Sequence, residues 1–284
     1  MEGIRLGDFN RLKVVKLVDF GLYLDGGIEG EILLPARYVP AGCQVGDILD
    51  VFIYLDQEER IIATTQKPYA KVGEFACLQV SWVNEYGVFL DWGLMKDLFC
   101  PFHEQKQRME RGHRYIVYVT VDQDSYRLMA TAKIERYLNR EKPDYRHGDE
   151  VELLVWQQTE LGFKVIIDNR FGGLVYSNQI FRPLSLGDHL KGYIDHVRSD
   201  GKIDVTIQPT GRRQTEEFAQ LLLQYLKDNG GHCNLGDKSP AELIVDRFKV
   251  SKKTYKKAIG ELYRRRLISI DEQGITLIGN ATAE

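Results

Sequence analysis

The chain has 284 residues, of which 43% are hydrophobic and 28% charged, and its formal net charge at pH 7 is −3. This composition is ordinary for a globular protein, and no apolar run approaches the ~20 residues needed to span a bilayer. The opening MEGIRLGDFN also lacks the basic and apolar regions of a signal peptide. We therefore expect a cytoplasmic protein.

The four cysteines form no CxxC pair, and the six histidines are scattered along the chain. Neither pattern predicts a disulfide framework or a zinc site, because both require ligands or partners at regular spacing. We expect reduced thiols buried in the core at Cys43, Cys77, Cys100 and Cys233. No metal or other cofactor is predicted.

Two stretches of the chain are nearly the same: DFGLYLDGG at 19–27 and EYGVFLDWG at 85–93. Their glycines, Gly21 and Gly87, are 66 residues apart. A third copy keeps only the glycine intervals of 14 and 25, which occur in Gly7, Gly21, Gly46, in Gly73, Gly87, Gly112 and in Gly148, Gly162, Gly187. Such a repeat indicates tandem modules of roughly 65 residues.

The third copy begins nine residues later than the period requires, after the charged, proline-containing stretch NREKPDYRH. This stretch is typical of a linker. The predicted domains are 1–70, 71–138 and 148–211 for the three repeats, with a linker at 139–147 and a different domain at 212–279.

Each repeat opens with alternating apolar residues, as in Leu78, Val80 and Trp82 of the second copy. Their counterparts are Leu12 and Val14 in the first copy and Val151, Leu153 and Val155 in the third. A period of two predicts a half-buried strand. Further strands are predicted at LYLD, EILLP, ILDVFIYLD and RIIATT, so each repeat has five short strands and little helix, which indicates a small closed barrel.

The order of residues in the first two copies resembles the S1 RNA-binding domain, which is an OB-fold barrel. The resemblance rests on Gly7, Phe20-Gly21-Leu22-Tyr23, Gly46-Asp47, Asp56 and Arg60-Ile61-Ile62, and on the matching positions of the second copy. It implies a nucleic-acid face containing Phe20, Tyr23, Asp56 and Arg60 in the first copy and Tyr86, Phe89, Asp122 and Arg127 in the second.

Physical chemistry agrees with this face, because an exposed ring stacks on a base with about 1–3 kcal/mol and needs no particular sequence. Two aromatics three residues apart would point to opposite sides of a regular strand. We expect a bulge at Gly21 and Gly87 to bring both rings to one side. The alternative is that these rings belong to the barrel core.

The third copy replaces the aromatic pair with Leu161 and Lys164 and places Lys202 where the arginine would be. Phe163 is the only ring expected near this face. We interpret the third copy as a degenerate OB barrel whose binding face is weakened or purely electrostatic.

The last seventy residues change to a helical period. TEEFAQLLLQYLKDNGG predicts a helix with Phe218, Leu221, Leu222 and Leu226 on one stripe, ending at Gly230-Gly231. A second helix is expected with Ser239 as N-cap and Pro240 in its first turn, and a third after a Ser251 cap. Two short strands around Glu272-Gln273-Gly274 complete a pattern that is similar to a winged helix-turn-helix.

The third of these helices has a basic side. Tyr255, Ile259 and Leu262 share the face expected to point inward. The opposite side carries Lys253, Lys257 and Arg264, with Lys256 at its margin. Residues 212–279 hold 13 Lys and Arg against 9 Asp and Glu, a net charge of about +4, whereas the rest of the chain carries about −7. This side contacts nucleic acid, contacts a protein partner or is simply solvated.

The complete order is that of a multidomain, mainly β chain: three tandem S1-like OB-fold barrels and then an α+β winged helix domain. It resembles the conserved virulence factor B family of bacterial RNA-binding proteins, most clearly at GDKSPAELIVDRF and SKKTYKKAIGELYR. The resemblance implies an RNA-binding regulatory protein that acts after transcription and has no catalytic centre. The paired aromatics of the first two copies add the expectation that the RNA is single-stranded, because stacking requires unpaired bases.

Three alternatives stay open at the level of sequence. A DNA-binding transcription regulator would use the winged helix but leaves three barrels unexplained. An enzyme would need clustered catalytic groups, and Asp56, Asp122 and Asp124 are dispersed among the repeats. The third alternative is a protein-interaction scaffold for ribosome or RNA-decay proteins.

Overall fold

The computed structural model describes residues 3–180, 183–208 and 211–278. Within these ranges the chain forms three closed five-stranded barrels, followed by three α-helices and a three-stranded sheet. This confirms the predicted fold class. No helix in the described ranges has the length and apolar character needed to cross a membrane.

The first barrel shows the arrangement that the other two repeat. Its strands are β1 (Phe9–Val18), β2 (Gly21–Asp25), β3 (Glu31–Pro35), β4 (Ile48–Leu55) and β5 (Ile61–Thr64). They pair in the order β1-β2-β3-β5-β4, and β4 pairs back onto β1 to close the barrel. Only β3 and β5 run parallel among these pairs. Alternate side chains, including Val14, Leu24 and Ile53, fill the interior.

The second and third barrels use the same strand order. The second consists of β6 (Phe75–Val83), β7 (Gly87–Asp91), β8 (Leu98–Pro101), β9 (Arg114–Val121) and β10 (Leu128–Thr131). The third consists of β11 (Glu150–Thr159), β12 (Gly162–Ile167), β13 (Phe171–Tyr176), β14 (His189–Val197) and β15 (Ile203–Thr206). Both are closed in the same way as the first.

The first strand of every barrel carries a β-bulge at the same place. The register shifts between Val14 and Lys16 in β1, between Val80 and Trp82 in β6, and between Val155 and Gln157 in β11. A bulge inserts one residue and so reverses the inward and outward alternation beyond it. The prediction that Trp82 continues the inward row of Leu78 and Val80 is therefore wrong, and Trp82 is 44% exposed.

The chain divides into two compact units, residues 1–138 and 139–284. Within the first unit the two barrels share an apolar interface. Strand β4 has Val51 and Ile53 in the first barrel's core, yet Phe52 and Tyr54 on its other side are also buried. Phe52 packs on Trp92 of the second barrel, with ring centroids 5.7 Å apart. Burial at this interface raises the pKa of Tyr54 to about 12.

The second unit ends in the predicted winged helix domain. Its elements are α1 (Gly211–Asp228), β16 (His232–Cys233), α2 (Ala241–Phe248), α3 (Lys252–Arg264), β17 (Ile268–Asp271) and β18 (Gly274–Leu277). The sheet order is β16-β18-β17, so a short strand that was not predicted extends the expected hairpin. Side chains from α1, α2 and α3 pack with the sheet into one apolar core.

Two details of the predicted helices are wrong. Leu221 is 67% exposed, because Phe218, Leu222 and Leu226 define the buried stripe of α1 and Leu221 lies about a third of a turn from its centre. Pro240, not Ser239, is the N-cap of α2, and the Ser239 hydroxyl instead accepts a hydrogen bond from the Gly236 N–H at 2.9 Å.

The cysteines are all free thiols. Cys100 and Cys233 are buried as expected, and burial raises the pKa of Cys100 to about 12. Cys43 and Cys77 are only half-buried, which corrects the expectation that all four lie in the core. Cys77 lies on the outward side of β6, between Ala76 and Leu78.

Candidate nucleic-acid interface

The two predicted aromatics of the first barrel lie together on its outer surface. Phe20 sits in the turn before β2 and is 59% exposed, whereas Tyr23 lies within β2 and is half-buried. Their ring centroids are 6.4 Å apart and the rings are nearly perpendicular. The ammonium of Lys16 lies 5.7 Å from the centroid of the Tyr23 ring. The ammonium of Lys16 and the rings of Phe20 and Tyr23 therefore lie together on the outer surface of the first barrel.

A bulge at Gly21 does not produce this arrangement, and that prediction is wrong. Strand β2 pairs with β3 in regular register, and the bulge lies across the ladder in β1. Phe20 reaches the surface because it belongs to the turn and not to the strand. Gly21 is needed for another reason: its φ is +153°, and a Cβ there would lie 2.2 Å from the Leu34 carbonyl oxygen.

The second barrel has a larger aromatic surface. Tyr86, in the turn before β7, is 67% exposed, and Phe89 is half-buried in β7. The ring of Phe89 stacks on the indole of Trp82 with centroids 3.7 Å apart and planes 1° from parallel. On its other side the Phe99 ring lies 5.0 Å away.

These rings belong to a row of outward residues that crosses four strands of the second barrel. Strand pairing places Trp82 beside Phe89, Phe89 beside Phe99, and Phe99 beside Met129. We call these four residues the outer row of the second barrel. Trp82 was missed as a surface residue because strict alternation assigns it to the core. The available signal was that Lys16 and Gln157, at the same repeat position, are polar.

Asp56 and Arg60 form a tight ion pair at the hairpin between β4 and β5. The Arg60 Nε and Nη2 atoms both lie 2.8 Å from Asp56 Oδ2, and Asp56 Oδ1 accepts from the backbone N–H of Arg60 at 2.9 Å. Partial burial opposes the charged form, but the hydrogen bonds from Arg60 outweigh it, so the pKa of Asp56 is lowered. The carboxylate fixes the arginine at the start of β5.

The second barrel does not copy this ion pair. Asp122 accepts hydrogen bonds from the backbone N–H of Asp124 at 3.0 Å and from the Ser125 hydroxyl at 2.8 Å, and these lower its pKa. The Nε atom of Arg127 lies 3.4 Å from a carboxylate oxygen of Glu59, which belongs to the first barrel. The side chains of Asp122 and Arg127, which the S1 resemblance assigns to one face, therefore have different partners.

Glu59 is placed at the junction of the first two barrels. Besides Arg127, it contacts Lys96, whose ammonium lies 3.1 Å from Glu59 Oε1 and donates to the Asp56 carbonyl oxygen at 2.7 Å. Glu59 has a left-handed φ of +64° in the turn that precedes Arg60. The junction thus brings the hairpin that carries Arg60 next to the segment that carries Arg127.

The corresponding surface of the third barrel has Gln157 and Lys164 at the positions of the Trp82 and Phe89 rings. Leu161 is 64% exposed at the position of Phe20 and Tyr86. The Lys164 ammonium lies 3.2 Å from Gln157 Oε1 and 5.1 Å from the Trp156 ring centroid. Trp156 is therefore a second ring near this surface, contrary to the prediction that Phe163 is the only one, and Phe163 itself packs against the core.

The lysine predicted to replace the arginine of the third barrel is present at the expected turn. Lys202 pairs with Asp200 at 3.1 Å, and both side chains are exposed. Arg198 takes the place of Asp56, and its Nη2 atom lies 2.8 Å from Asp204 Oδ1. The charges at this turn are thus arranged differently from those in the first barrel.

The basic side of α3 has the predicted orientation. Tyr255, Ile259 and Leu262 are buried in the domain core, and the Ser251 hydroxyl caps the helix by accepting from the Thr254 N–H at 3.1 Å. The exposed side chains on the other side are Lys253, Lys256, Lys257 and Arg264, which we call the basic face of α3.

Two members of the basic face have contacts within the domain. The Lys256 ammonium lies 2.9 Å from Asp237 Oδ1, and the Arg264 Nε donates to the Gly260 carbonyl oxygen at 3.2 Å. These contacts are at the surface, where water screens the charges. The face thus presents several cations to solvent along one helix.

Comparison with known proteins identifies both kinds of domain. Residues 6–66 match the S1 domain family, and residues 220–277 match the CvfB-like winged helix domain family. Both are nucleic-acid-binding domain families, and neither is an enzyme family.

Similar proteins occur in bacteria. The protein YitL of Bacillus subtilis, described as uncharacterized, is 27% identical over 270 residues, which are 93% of this chain and 90% of YitL. Conserved virulence factor B of Staphylococcus aureus is 21% identical over 241 residues, which are 82% of this chain and 80% of that protein.

A solved structure is also similar. It is described as a multidomain protein with nucleic acid binding domains from Streptococcus pneumoniae, and it is 24% identical. The match covers 96% of this chain and 98% of that chain, with a TM-score of 0.44.

Proposed function

We propose that this chain, a homologue of conserved virulence factor B and of YitL, is a cytoplasmic regulator that binds single-stranded RNA and acts after transcription. The observation that carries the proposal is the pair of exposed aromatic sites on the first two barrels. Phe20 with Tyr23, and Tyr86 with Phe89 and Trp82, present rings that the barrel cores do not need.

Stacking favours unpaired bases over a duplex. A base inside a double helix already stacks on its neighbours, so only a single strand can give its flat face to a protein ring. The arginines Arg60 and Arg127 lie in turns that meet at the junction of the two barrels, and an arginine can pair with phosphate or stack on a base. This combination fits a flexible RNA chain.

The basic face of α3 supplies a second kind of contact. Its four cations lie on one helix in a domain with a net charge of about +4, and such a cluster attracts the phosphate backbone. The same face would suit the major groove of DNA in a transcription regulator. We favour RNA because that alternative leaves the aromatic sites of two barrels without a role.

In the proposed function the protein acts by binding RNA and has no catalytic centre. Ribosomal or RNA-decay proteins are further candidate partners of such a regulator. RNA binding by the purified chain without any other protein separates direct recognition from a scaffold role.

A competition experiment tests the nucleic acid. A labelled single-stranded RNA is bound to the full chain, and unlabelled RNA or duplex DNA of equal length competes for it. We expect the RNA to compete at least as well as the duplex. A clear preference for duplex DNA would instead support the transcription regulator. Because the proposed contacts need no metal ion, binding should also survive exhaustive chelation of divalent ions.

Charge reversal tests the winged helix separately. Changing Lys253, Lys257 and Arg264 to glutamate should weaken RNA binding and flatten its salt dependence, by about 0.7 in slope for each phosphate that is no longer neutralised. Arg11→Glu is a matched control, since this exposed residue pairs with Asp50 on the first barrel. If the triple variant is folded and keeps both affinity and slope, the basic face of α3 does not hold RNA.

A further inference from the structure

The indole of Trp82 is held in a ring stack on the surface of the second barrel. One of its faces is covered by Phe89, with ring centroids 3.7 Å apart, and Phe89 is supported in turn by Phe99. This packing restrains the orientation of the indole plane. Trp82 nevertheless remains 44% exposed.

This arrangement is peculiar to the second barrel. The bulge places Lys16 in the first barrel and Gln157 in the third at the position of Trp82, each beside the residue that corresponds to Phe89. Lys16 approaches the ring of Tyr23, and Gln157 accepts a hydrogen bond from Lys164. One backbone position thus carries a cation, an indole or an amide in the three barrels.

We propose that the exposed face of Trp82 is a stacking subsite for one unpaired nucleobase, supported from behind by Phe89 and additional to the exposed ring of Tyr86. This inference rests on the proposed function and names a residue within it. The subsite continues the outer row of the second barrel, so a strand lying along that row would reach Trp82 at its end.

The chemistry around the indole favours a base over other occupants. Burial, and then the charge of nearby Asp91, raise the pKa of Asp97. These two carboxyl groups would repel a phosphate. A flat, uncharged ring has no such penalty. Because Trp82 already stacks in parallel on Phe89, a base on its other face would extend the same stack. Stacking on a fixed ring also loses little conformational entropy.

The test uses the full chain and an unstructured single-stranded RNA of about 12 nucleotides, which is within the site size of OB barrels. With Trp156 replaced by phenylalanine in both proteins, RNA should quench the tryptophan emission, and Trp82→Phe should lose most of that quenching, since Trp92 is buried. Trp82→Ala should weaken binding by about 5- to 100-fold. Trp82→Phe should retain more affinity, because its ring still stacks. Tyr69→Ala, at an exposed ring between the barrels, is the control and should leave affinity unchanged.

Each result has a distinct meaning. If the wild type binds no RNA, the proposed function fails. If it binds RNA but Trp82→Ala, shown to be folded by circular dichroism, binds equally well, only the subsite is wrong. If Trp82→Ala does not fold, the same decision rests on the quenching difference between the wild type and Trp82→Phe. Quenching by a proline-rich peptide but not by RNA would assign the indole to a protein partner and overturn the proposal.

Discussion

The second and third barrels have the same strand order and the same bulge, yet their outer rows differ at three of four positions in polarity. In the second barrel the outer row is Trp82, Phe89, Phe99 and Met129. In the third barrel the same positions are Gln157, Lys164, Leu174 and Asp204. Three apolar rings and a thioether are thus replaced by an amide, a lysine, one leucine and a carboxylate.

In each strand, different residues determine the barrel core and the chemistry of the outer surface. Inward residues such as Val80 and Val155 are apolar in both barrels, because both interiors must be filled. The outward residues do not fill the interior, so their chemistry can change without changing the fold. The outer row of the first barrel is intermediate in chemistry. It consists of Lys16, Tyr23, Leu33 and Ile62.

The shared framework provides the largest expected effect. Gly87 and Gly162 each begin a strand at a place where a Cβ would approach a carbonyl oxygen of the next strand, to 2.4 Å from Cys100 and 2.0 Å from Val175. Gly87→Ala and Gly162→Ala should therefore each destabilise the barrel by at least about 2 kcal/mol. Urea unfolding followed by tryptophan emission measures this, since the second barrel contains Trp82 and the third contains Trp156.

Gly260→Ala is the control for these two variants. A Cβ at Gly260 would meet open space, and the residue lies inside α3, so alanine should leave stability unchanged or raise it by up to about 1 kcal/mol. If only one of the two barrel glycines proves sensitive, the barrels do not share the same framework requirement.

The next largest effect is on RNA affinity, and it follows from the different outer surfaces of the barrels. Tyr23→Ala removes a ring, and Phe89→Ala removes both a ring and the support of Trp82. The double variant should cost about 1–3 kcal/mol for each base that no longer stacks, and the salt dependence of binding should stay the same, because aromatics release no counterions. Lys164→Ala with Lys202→Ala should change affinity less but lower the salt slope by about 0.7 for each phosphate that is no longer neutralised.

Titrating RNA binding at several salt concentrations distinguishes the two pairs of variants. If both pairs of variants lost the same RNA affinity and the same amount of salt slope, the first two barrels and the third would bind RNA in the same way. The contrast between a stacking surface and an electrostatic one would then disappear.

The smallest expected effect compares the two aspartate turns at low pH. The pKa of Asp56 is lowered in the folded state, so its contribution to stability is present above the unfolded value of about 4 and is lost as the pH falls through the folded pKa. Asp56→Asn should remove this dependence and release Arg60. Asp122 also has a lowered pKa, but Asp122→Asn leaves Arg127 paired with Glu59.

Thermal unfolding between about pH 3 and 6 measures how the stability of each variant depends on pH. RNA affinity at neutral pH shows whether Arg60 and Arg127 still contribute to binding. We expect Asp56→Asn to alter affinity more than Asp122→Asn. The opposite order would show that Asp122, and not the ion pair of Asp56, organises the binding surface.

Much of this molecule follows from local rules that a sequence displays. The glycine intervals predict three equal barrels, because the same turns and the same close approach at Gly21, Gly87 and Gly162 recur in each. The stripe of Tyr255, Ile259 and Leu262 predicts which side of α3 is buried and hence that the basic face is exposed. The positions of the domain boundaries and the RNA contacts of the named residues remain predictions.

The features that the sequence does not predict depend on strand pairing and on contacts between distant residues. The bulge in β6 turns Trp82 outward, and no residue type at Ser81 encodes it, because it arises from the pairing of β6 with β7. Glu59 and Arg127 are 68 residues apart, and Phe52 and Trp92 belong to different barrels.

The number and kind of modules therefore follow from the sequence, since periodicity and glycine placement act over a few neighbouring residues. The three-dimensional structure is needed to show which side chains share a surface, that Phe52 and Tyr54 are buried by a second barrel, and that Arg127 pairs with Glu59 instead of Asp122. Burial and ion pairing depend on distance in space, which the closure and packing of the barrels set.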